Sequence, residues 1–145
     1  MRDAADARAY TSPLSKHGAL TAPTRTLDIL ILDDDAPTRQ MLNVVLGKLG
    51  HRVMRAASVH EATKMLQTFV FDLMLCDLML PDGSGLDVIQ HVPPGMKLHK
   101  IIISGHSEPS DIARSLAAGF DVHLVKPLDF TLLQRAVWKL TGEPL

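Results

Sequence analysis

A single cysteine among 145 residues excludes an internal disulfide framework and fits a reducing compartment. Charge of one sign is also missing: 15 Lys and Arg stand against 16 Asp and Glu. With a net charge of -1 there is no broad basic field to hold nucleic acid or an anionic membrane. No uninterrupted apolar run is long enough to span a bilayer. The N-terminus has no h-region, and Asp3 and Asp6 count against an acid-poor transit peptide. Internal repeats and a Gly-rich ATP loop are absent, and the seven histidines lack ligand-like pairing, which disfavours zinc. The expectation is a soluble, cytoplasmic protein of one domain, without membrane insertion or direct nucleic-acid contact.

What is there centres on Asp72 to Gly85 (DLMLCDLMLPDGSG). Apolar residues run from Leu73 to Leu80 with one carboxylate, Asp77, in their middle. A buried acid is costly unless something pairs with it. Pro81, Gly83 and Gly85 are turn chemistry. Asp77 therefore reads as the end of a buried strand, held at the mouth of a loop.

Residues 1–26 lack large apolar residues at any period and are read as a tail or linker outside the core. Residues 27–145 read as one domain. Leu27 to Leu32 (LDILIL) is a strand covered on both faces. Pro37 suits a first helical turn, and Leu42, Val45, Leu46 and Leu49 keep helical spacing up to Gly50. Arg52 to Ala57 is a more polar, edge-type strand. Ser58-Val-His-Glu61 is a capping-box pattern that directs Val59, Ala62, Leu66 and Phe69 inward. A short helix over Leu86, Ile89 and Val92 must stop at Pro93-Pro94. Lys100 to Ser104 is a fourth strand. The helix after it points Ile112, Ala113, Leu116 and Ala117 inward. Val122 to Lys126 is the fifth strand, and Asp129 caps a last helix burying Leu133, Ala136, Val137 and Leu140.

Five alternations of strand and helix specify an α/β fold, a doubly wound five-stranded parallel sheet. In such a sheet every strand ends at one edge, where ligands bind. That edge collects Asp33, Asp34 and Asp35 from the first strand, Asp77 from the third, Ser104 from the fourth and Lys126 from the fifth. Two carboxylates about 4 Å apart repel by roughly 4 kcal/mol at an effective dielectric near 20. Lys126 offsets only part of this, and Mg²⁺, which takes carboxylates, a carbonyl and waters, is the natural remedy. A carboxylate beside such a metal can act as nucleophile toward phosphorus.

With these segments in hand, the chain from about Leu27 onward resembles the receiver domain of two-component response regulators. The resemblance rests on LDILILDDD, LMLCDLMLPDGSG, IIISGH and HLVKP in that order. It implies a (βα)5 flavodoxin-like fold with strand order 2-1-3-4-5. It implies that Asp77 accepts a phosphoryl group from a histidine kinase or histidine phosphotransfer protein. Asp34, Asp77 and the Met79 carbonyl would ligate Mg²⁺, with Asp33 acting mainly through water. Ser104 and Lys126 would bind the phosphoryl oxygens, and the Lys126–Pro127 bond would be cis. His123 stands where the family most often has Tyr or Phe, the aromatic member of the switch. Met79 and His106 occupy positions that influence how water reaches the acyl phosphate. A downstream partner would meet the face made by the fourth helix, fifth strand and fifth helix. Trp138 and Arg135 on the last helix are further interface candidates. The resemblance implies a signalling domain and not an enzyme, beyond autophosphorylation from small phosphodonors and autodephosphorylation; with Leu145 just after the fifth helix, no output domain is expected in this chain.

Several residues have plainer readings. Asp35 is read as solvating its loop, Asp82 as turn chemistry and Cys76 as a small buried hydrophobe. Two other functions draw on similar residues. A haloacid dehalogenase-like phosphohydrolase also uses Asp, Mg²⁺, Ser/Thr and Lys, but Pro37 stands where that family wants Thr or Val. A receiver-like binding module that works without phosphorylation would have no need of the intact set of acids, Ser104 and Lys126.

Overall fold

The computed structural model describes residues 25–145. Residues 1–24, and with them most of the tail assigned to 1–26, lie outside the described residues. The main sheet has five strands: β1 (Asp28–Leu32), β2 (Arg52–Ala56), β3 (Leu73–Cys76), β4 (His99–Ser104) and β5 (Val122–Val125). All neighbours pair parallel, in the order β2-β1-β3-β4-β5. The helices are α1 (Ala36–Lys48), α2 (Val59–Thr68), α3 (Gly85–Val88, continued by a 3-10 turn over Ile89–His91), α4 (Pro109–Ala118) and α5 (Phe130–Thr141). This is the doubly wound, flavodoxin-like α/β fold that the alternation specifies.

The period-two alternation of the strands splits the core in two. Ile29, Ile31, Leu73, Leu75, Ile101 and Ile103 face α1 and α5, meeting Leu42, Leu46, Leu133 and Val137. Leu30, Leu32, Met74, Cys76 and Ile102 face the other way, meeting Ala62 and Leu66 of α2 and Val88 of α3. Apolar side chains on both faces explain why β1 and β3 are continuous apolar runs. β2 carries exposed Arg52 and Arg55 and lies at the sheet edge.

Local chemistry sets the helix ends. Asp35 is the N-cap of α1: its Oδ2 accepts from Thr38 N at 3.0 Å and from the Thr38 hydroxyl. That gives Asp35 a structural task beyond solvating its loop, and those hydrogen bonds hold its carboxyl below the ordinary range. Ser58 caps α2 through Glu61 N, whereas Glu61 Oε1 reaches Ala57 N and not the N–H of Ser58 itself. The reciprocal box is thus displaced by one residue. Asp129 caps α5 through Thr131 N and Leu132 N.

Two inward-facing assignments are corrected. In α4 the buried side chain is Ser115, with Ile112 half-buried, while Ala113, Leu116 and Ala117 are exposed. The helix is rotated because Ser115 meets His123 on β5, a polar contact that apolar periodicity cannot register. Phe69 is exposed and Phe71 is buried. The chain turns extended at Phe69 (φ -124°, ψ 158°), so the second ring, not the first, reaches the core.

At the opposite, amino end of the sheet, Arg25 reaches Asp72 and Arg52 pairs with Asp28. Buried His51 accepts the Leu27 N–H on Nδ1 at 3.0 Å. No described helix is long and apolar enough to cross a membrane.

Candidate functional site

The sheet ladders continue one residue past three strand ends. Asp33 N donates to Ala56 O (3.1 Å), Asp77 N to Leu32 O (2.7 Å) and Lys126 N to Ser104 O (2.8 Å). Backbone pairing of this kind fixes the three side chains on one rim before any side-chain contact forms. Lys126 Nζ then lies 3.0 Å from Asp33 Oδ2 and 3.2 Å from Asp77 Oδ2. Asp33 Oδ1 accepts from Asp35 N at 2.9 Å, and Arg39 donates to the Asp33 carbonyl at 2.7 Å. Asp34 is exposed, and its carboxylate comes within 4.8 Å of those of Asp33 and Asp77.

Two acids therefore share one ammonium, with a third, Asp34, beside them. Burial pushes the Asp33 carboxyl above its ordinary value; the Asp35 amide and Lys126 pull it back and the Asp77 charge pushes again, leaving it raised. Burial alone would lower the Lys126 ammonium, but its hydrogen bond to Asp33 and the charges of Asp33 and Asp77 outweigh that and raise it. The rim is short of positive charge, and its oxygen donors suit a hard cation.

Met79 sits two residues beyond Asp77 and its side chain is 57% exposed. It belongs to a two-residue antiparallel ladder in which Met79 pairs with Ser84 and Leu80 with Gly83. Gly85 closes the loop by donating to Leu78 O at 2.7 Å. A Cβ at Gly85 would stand 2.3 Å from Asp77 O and 2.8 Å from Cys76 Sγ, so only glycine allows this close approach. Cys76 is fully buried, and burial with the Asp77 and Asp33 charges pushes its thiol well up.

Ser104 is buried at the end of β4, and its Oγ accepts from His106 N at 2.9 Å. Its hydroxyl is thus held by its own loop and not drawn into the acid cluster. His123 faces α4, not the acids: Nδ1 lies 2.8 Å from Ser115 Oγ and Nε2 3.4 Å from Ser107 Oγ. Ser115 also donates to Ile112 O at 2.9 Å, and Ser107 to Ser104 O at 3.3 Å. The Lys126–Pro127 bond is cis. Ser107 and Ser115 were not singled out in the sequence, because serines beside a helix start and on a helix carry no pattern of their own.

In a parallel flavodoxin-like sheet the carboxyl rim, which here collects the carboxylates and the lysine, is the edge at which α/β domains bind ligands. The family model "Response regulator receiver domain" matches residues 29–138, and the chain belongs to that family. The family is one of signalling domains in two-component systems. The chain is 34% identical over 109 residues to the response regulator protein PilR of Pseudomonas aeruginosa, covering 74% of this chain and 24% of PilR. It thus spans about a quarter of the length of that relative. It is 32% identical over 114 residues to an uncharacterized 14.6 kDa protein of Leptolyngbya boryana, covering 77% of this chain and 87% of that one. The crystal structure of a CheY-like response regulator receiver domain protein from Methanospirillum hungatei matches with a TM-score of 0.72 and 30% identity, over 81% of this chain and 96% of that one.

Proposed function

We propose that residues 27–145 form a phosphoacceptor receiver in His-Asp phosphotransfer, with Asp77 as the acceptor. The observation that carries this is the position of the Lys126 ammonium, 3.0 Å from Asp33 and 3.2 Å from Asp77, with Asp34 beside them. One cation facing three carboxylates leaves a place for a second cation and for an incoming phosphoryl group.

Mg²⁺ suits this donor set, held by Asp34, Asp77 and the Met79 carbonyl, with Asp33 acting mainly through water. Both Asp33 oxygens already accept protein hydrogen bonds, which agrees with an indirect role. When bound, the ion neutralises charge on the transferring phosphoryl group. An Asp77 oxygen attacks the phosphorus of a phosphohistidine; the P–O bond forms as the P–N bond breaks, and the imidazole keeps the electron pair and takes up a proton. The product is an acyl phosphate on Asp77. Lys126 holds one phosphoryl oxygen as an ion pair, and Ser104 leaves His106 N to donate to another.

The donor is a histidine kinase or histidine phosphotransfer protein in the cytoplasm. Movement of Ser104 carries its loop and His123 with it, shifting a two-state equilibrium at the surface of α4, β5 and α5. That surface exposes Leu116, Val125 and Leu132, which suits a downstream protein partner. Arg135 is exposed on the same helix as Leu132, and Trp138 lies one turn beyond it, half-buried.

Incubation with acetyl phosphate and Mg²⁺, followed by intact-mass measurement, should add one phosphoryl group to the wild type and none to Asp77→Asn. Phosphotransfer from candidate phosphohistidine donors then identifies the pathway. Failure of the wild type to be labelled, under conditions that label a control receiver, overturns the reading in favour of a phosphorylation-independent binding module.

A further inference from the structure

The loop that carries the Met79 carbonyl runs from Leu78 to Gly85, and its own internal ties are slight. Two residue pairs make its ladder, and an isolated two-stranded ribbon is marginal in water. At the tip of this loop, Asp82 reaches out of it. Asp82 Oδ1 accepts from Val59 N at 2.8 Å, and Oδ2 from His60 N at 2.9 Å. These are the first two N–H groups of α2, which have no partner within the helix. Ser58, the N-cap, already serves Glu61 N at 3.1 Å, so the two residues divide the exposed donors between them.

Both Asp82 oxygens are thus spent on an element 22 and 23 residues earlier in the chain. The hydrogen bonds from His60 and Val59 hold the Asp82 carboxyl below its ordinary value. The tip also lies close to α2 and to Asp87, leaving little room for a side chain: a Cβ at Gly83 would lie 3.4 Å from Val59 Cγ2 and 2.9 Å from Asp87 Oδ2. Asp87 in turn accepts from Ser84 N at 2.9 Å, closing the far side of the loop. The loop is pinned at its base by Gly85 N to Leu78 O, at its exit by Asp87, and at its tip by Asp82.

We infer that Asp82 is a positioning residue: by docking the loop tip on the first turn of α2, it holds the Met79 carbonyl at the acid cluster. The inference rests on the metal site proposed above, and it assigns to α2 a part in metal affinity although α2 gives that site no ligand. Releasing the tip lets Met79 drift while Asp33 and Asp77 stay fixed by the sheet. Affinity for the cation then falls, and the acids remain in place.

Mg²⁺ titrations of the full 145-residue chain, followed by ¹H–¹⁵N chemical shifts of the Asp77 and Gly85 amides and paired with thermal unfolding, test this. Asp82→Ala should raise the Mg²⁺ Kd at least five-fold. Ser58→Ala removes the other cap from the same helix without touching the loop, and should lower Tm while leaving Kd within two-fold. Asp82→Asn keeps an acceptor oxygen and should fall between wild type and Asp82→Ala, which keeps the test alive if the alanine variant unfolds. An unchanged Kd in both Asp82 variants overturns the inference, as does a Ser58→Ala Kd that rises as much as that of Asp82→Ala. Absence of Mg²⁺ binding by the wild type overturns the site itself, and the inference with it.

Discussion

His123 Nδ1 and Ser115 Oγ stand 2.8 Å apart, tying the fifth strand to helix α4 through a polar contact in a half-buried layer. Because Ser115 also donates to the Ile112 carbonyl, its oxygen is left to accept, and the network assigns the proton to His123 Nδ1. Nε2 lies 3.4 Å from the hydroxyl of Ser107, whose single proton the Ser104 carbonyl also attracts. Strand, helix and loop thus meet at one imidazole. Replacing His123 by Ala should cost about 1–2 kcal/mol in urea unfolding, since it removes a hydrogen bond and leaves a gap. The same variant should weaken the chemical-shift response of α4 amides to beryllofluoride; a full response would remove His123 from the switch.

Gly85 offers the most direct steric test. Its missing Cβ would meet the Asp77 carbonyl at 2.3 Å, and backbone cannot swing aside as a flexible side chain can. Gly85→Ala should destabilise the fold by about 1–3 kcal/mol or more, in line with overpacking. It should also lower acetyl phosphate labelling, because relief of the clash displaces the acceptor. Unchanged labelling would show that the acceptor tolerates that displacement.

His51 sets a pH dependence remote from the acids. Burial pulls its imidazole below the ordinary 6.5, and the neutral ring is the one able to accept the Leu27 N–H. A depressed folded pKa means that the native state binds fewer protons than the unfolded chain between the two values. This contribution is therefore complete above about pH 6.5 and shrinks as pH falls through that value toward the folded pKa, by up to about 1.4 kcal/mol per unit. Urea unfolding at about pH 7.5 and 5.5 should show a steeper loss for wild type than for His51→Gln. Parallel profiles would refute it.

Metal addition should be visible as stability. At a hundredfold excess over its Kd, Mg²⁺ should add about 2.7 kcal/mol to the wild type. Asp34→Ala should lose most of that gain while changing little in the metal-free protein, since Asp34 is exposed. Equal gains in both proteins would place the ion elsewhere.

The side chain of Met79 lies 57% exposed beside the acceptor and offers water no hydrogen bond to organise its approach. Met79→Asn should therefore speed loss of the phosphoryl group several-fold, measured as decay of the labelled protein after donor removal. Substitution of His106, whose backbone already engages Ser104, provides the companion comparison. No acceleration in Met79→Asn would leave Met79 without a timing role.

Much of this molecule is legible in the chain itself, and the limits are physical. The three central strands could be read because burial on both faces writes continuous apolar runs such as LDILIL and KIIIS. Asp77 could be read because an acid in such a run needs partners, and strand ends in a parallel sheet share an edge. The inward face of α4 could not: its buried residue is a serine, acceptable there only because His123 arrives from a distant strand. Leu116, which periodicity places in the core, is 46% exposed, so Leu116→Ser should change stability by less than about 0.5 kcal/mol while weakening partner capture. Asp82 was equally opaque. Its turn-type sequence gives no sign that its carboxylate serves a helix formed from residues 59–68.

The buried thiol at Cys76 carries a last consequence. Oxidants and electrophiles react with thiolates, and burial beside the Asp77 and Asp33 charges keeps this sulfur protonated and out of reach. The residue adjoining the acceptor is therefore expected to resist peroxide and glutathione while the fold is intact. Covalent signalling at this site is then expected to run through the proposed Asp77 acyl phosphate and not through sulfur.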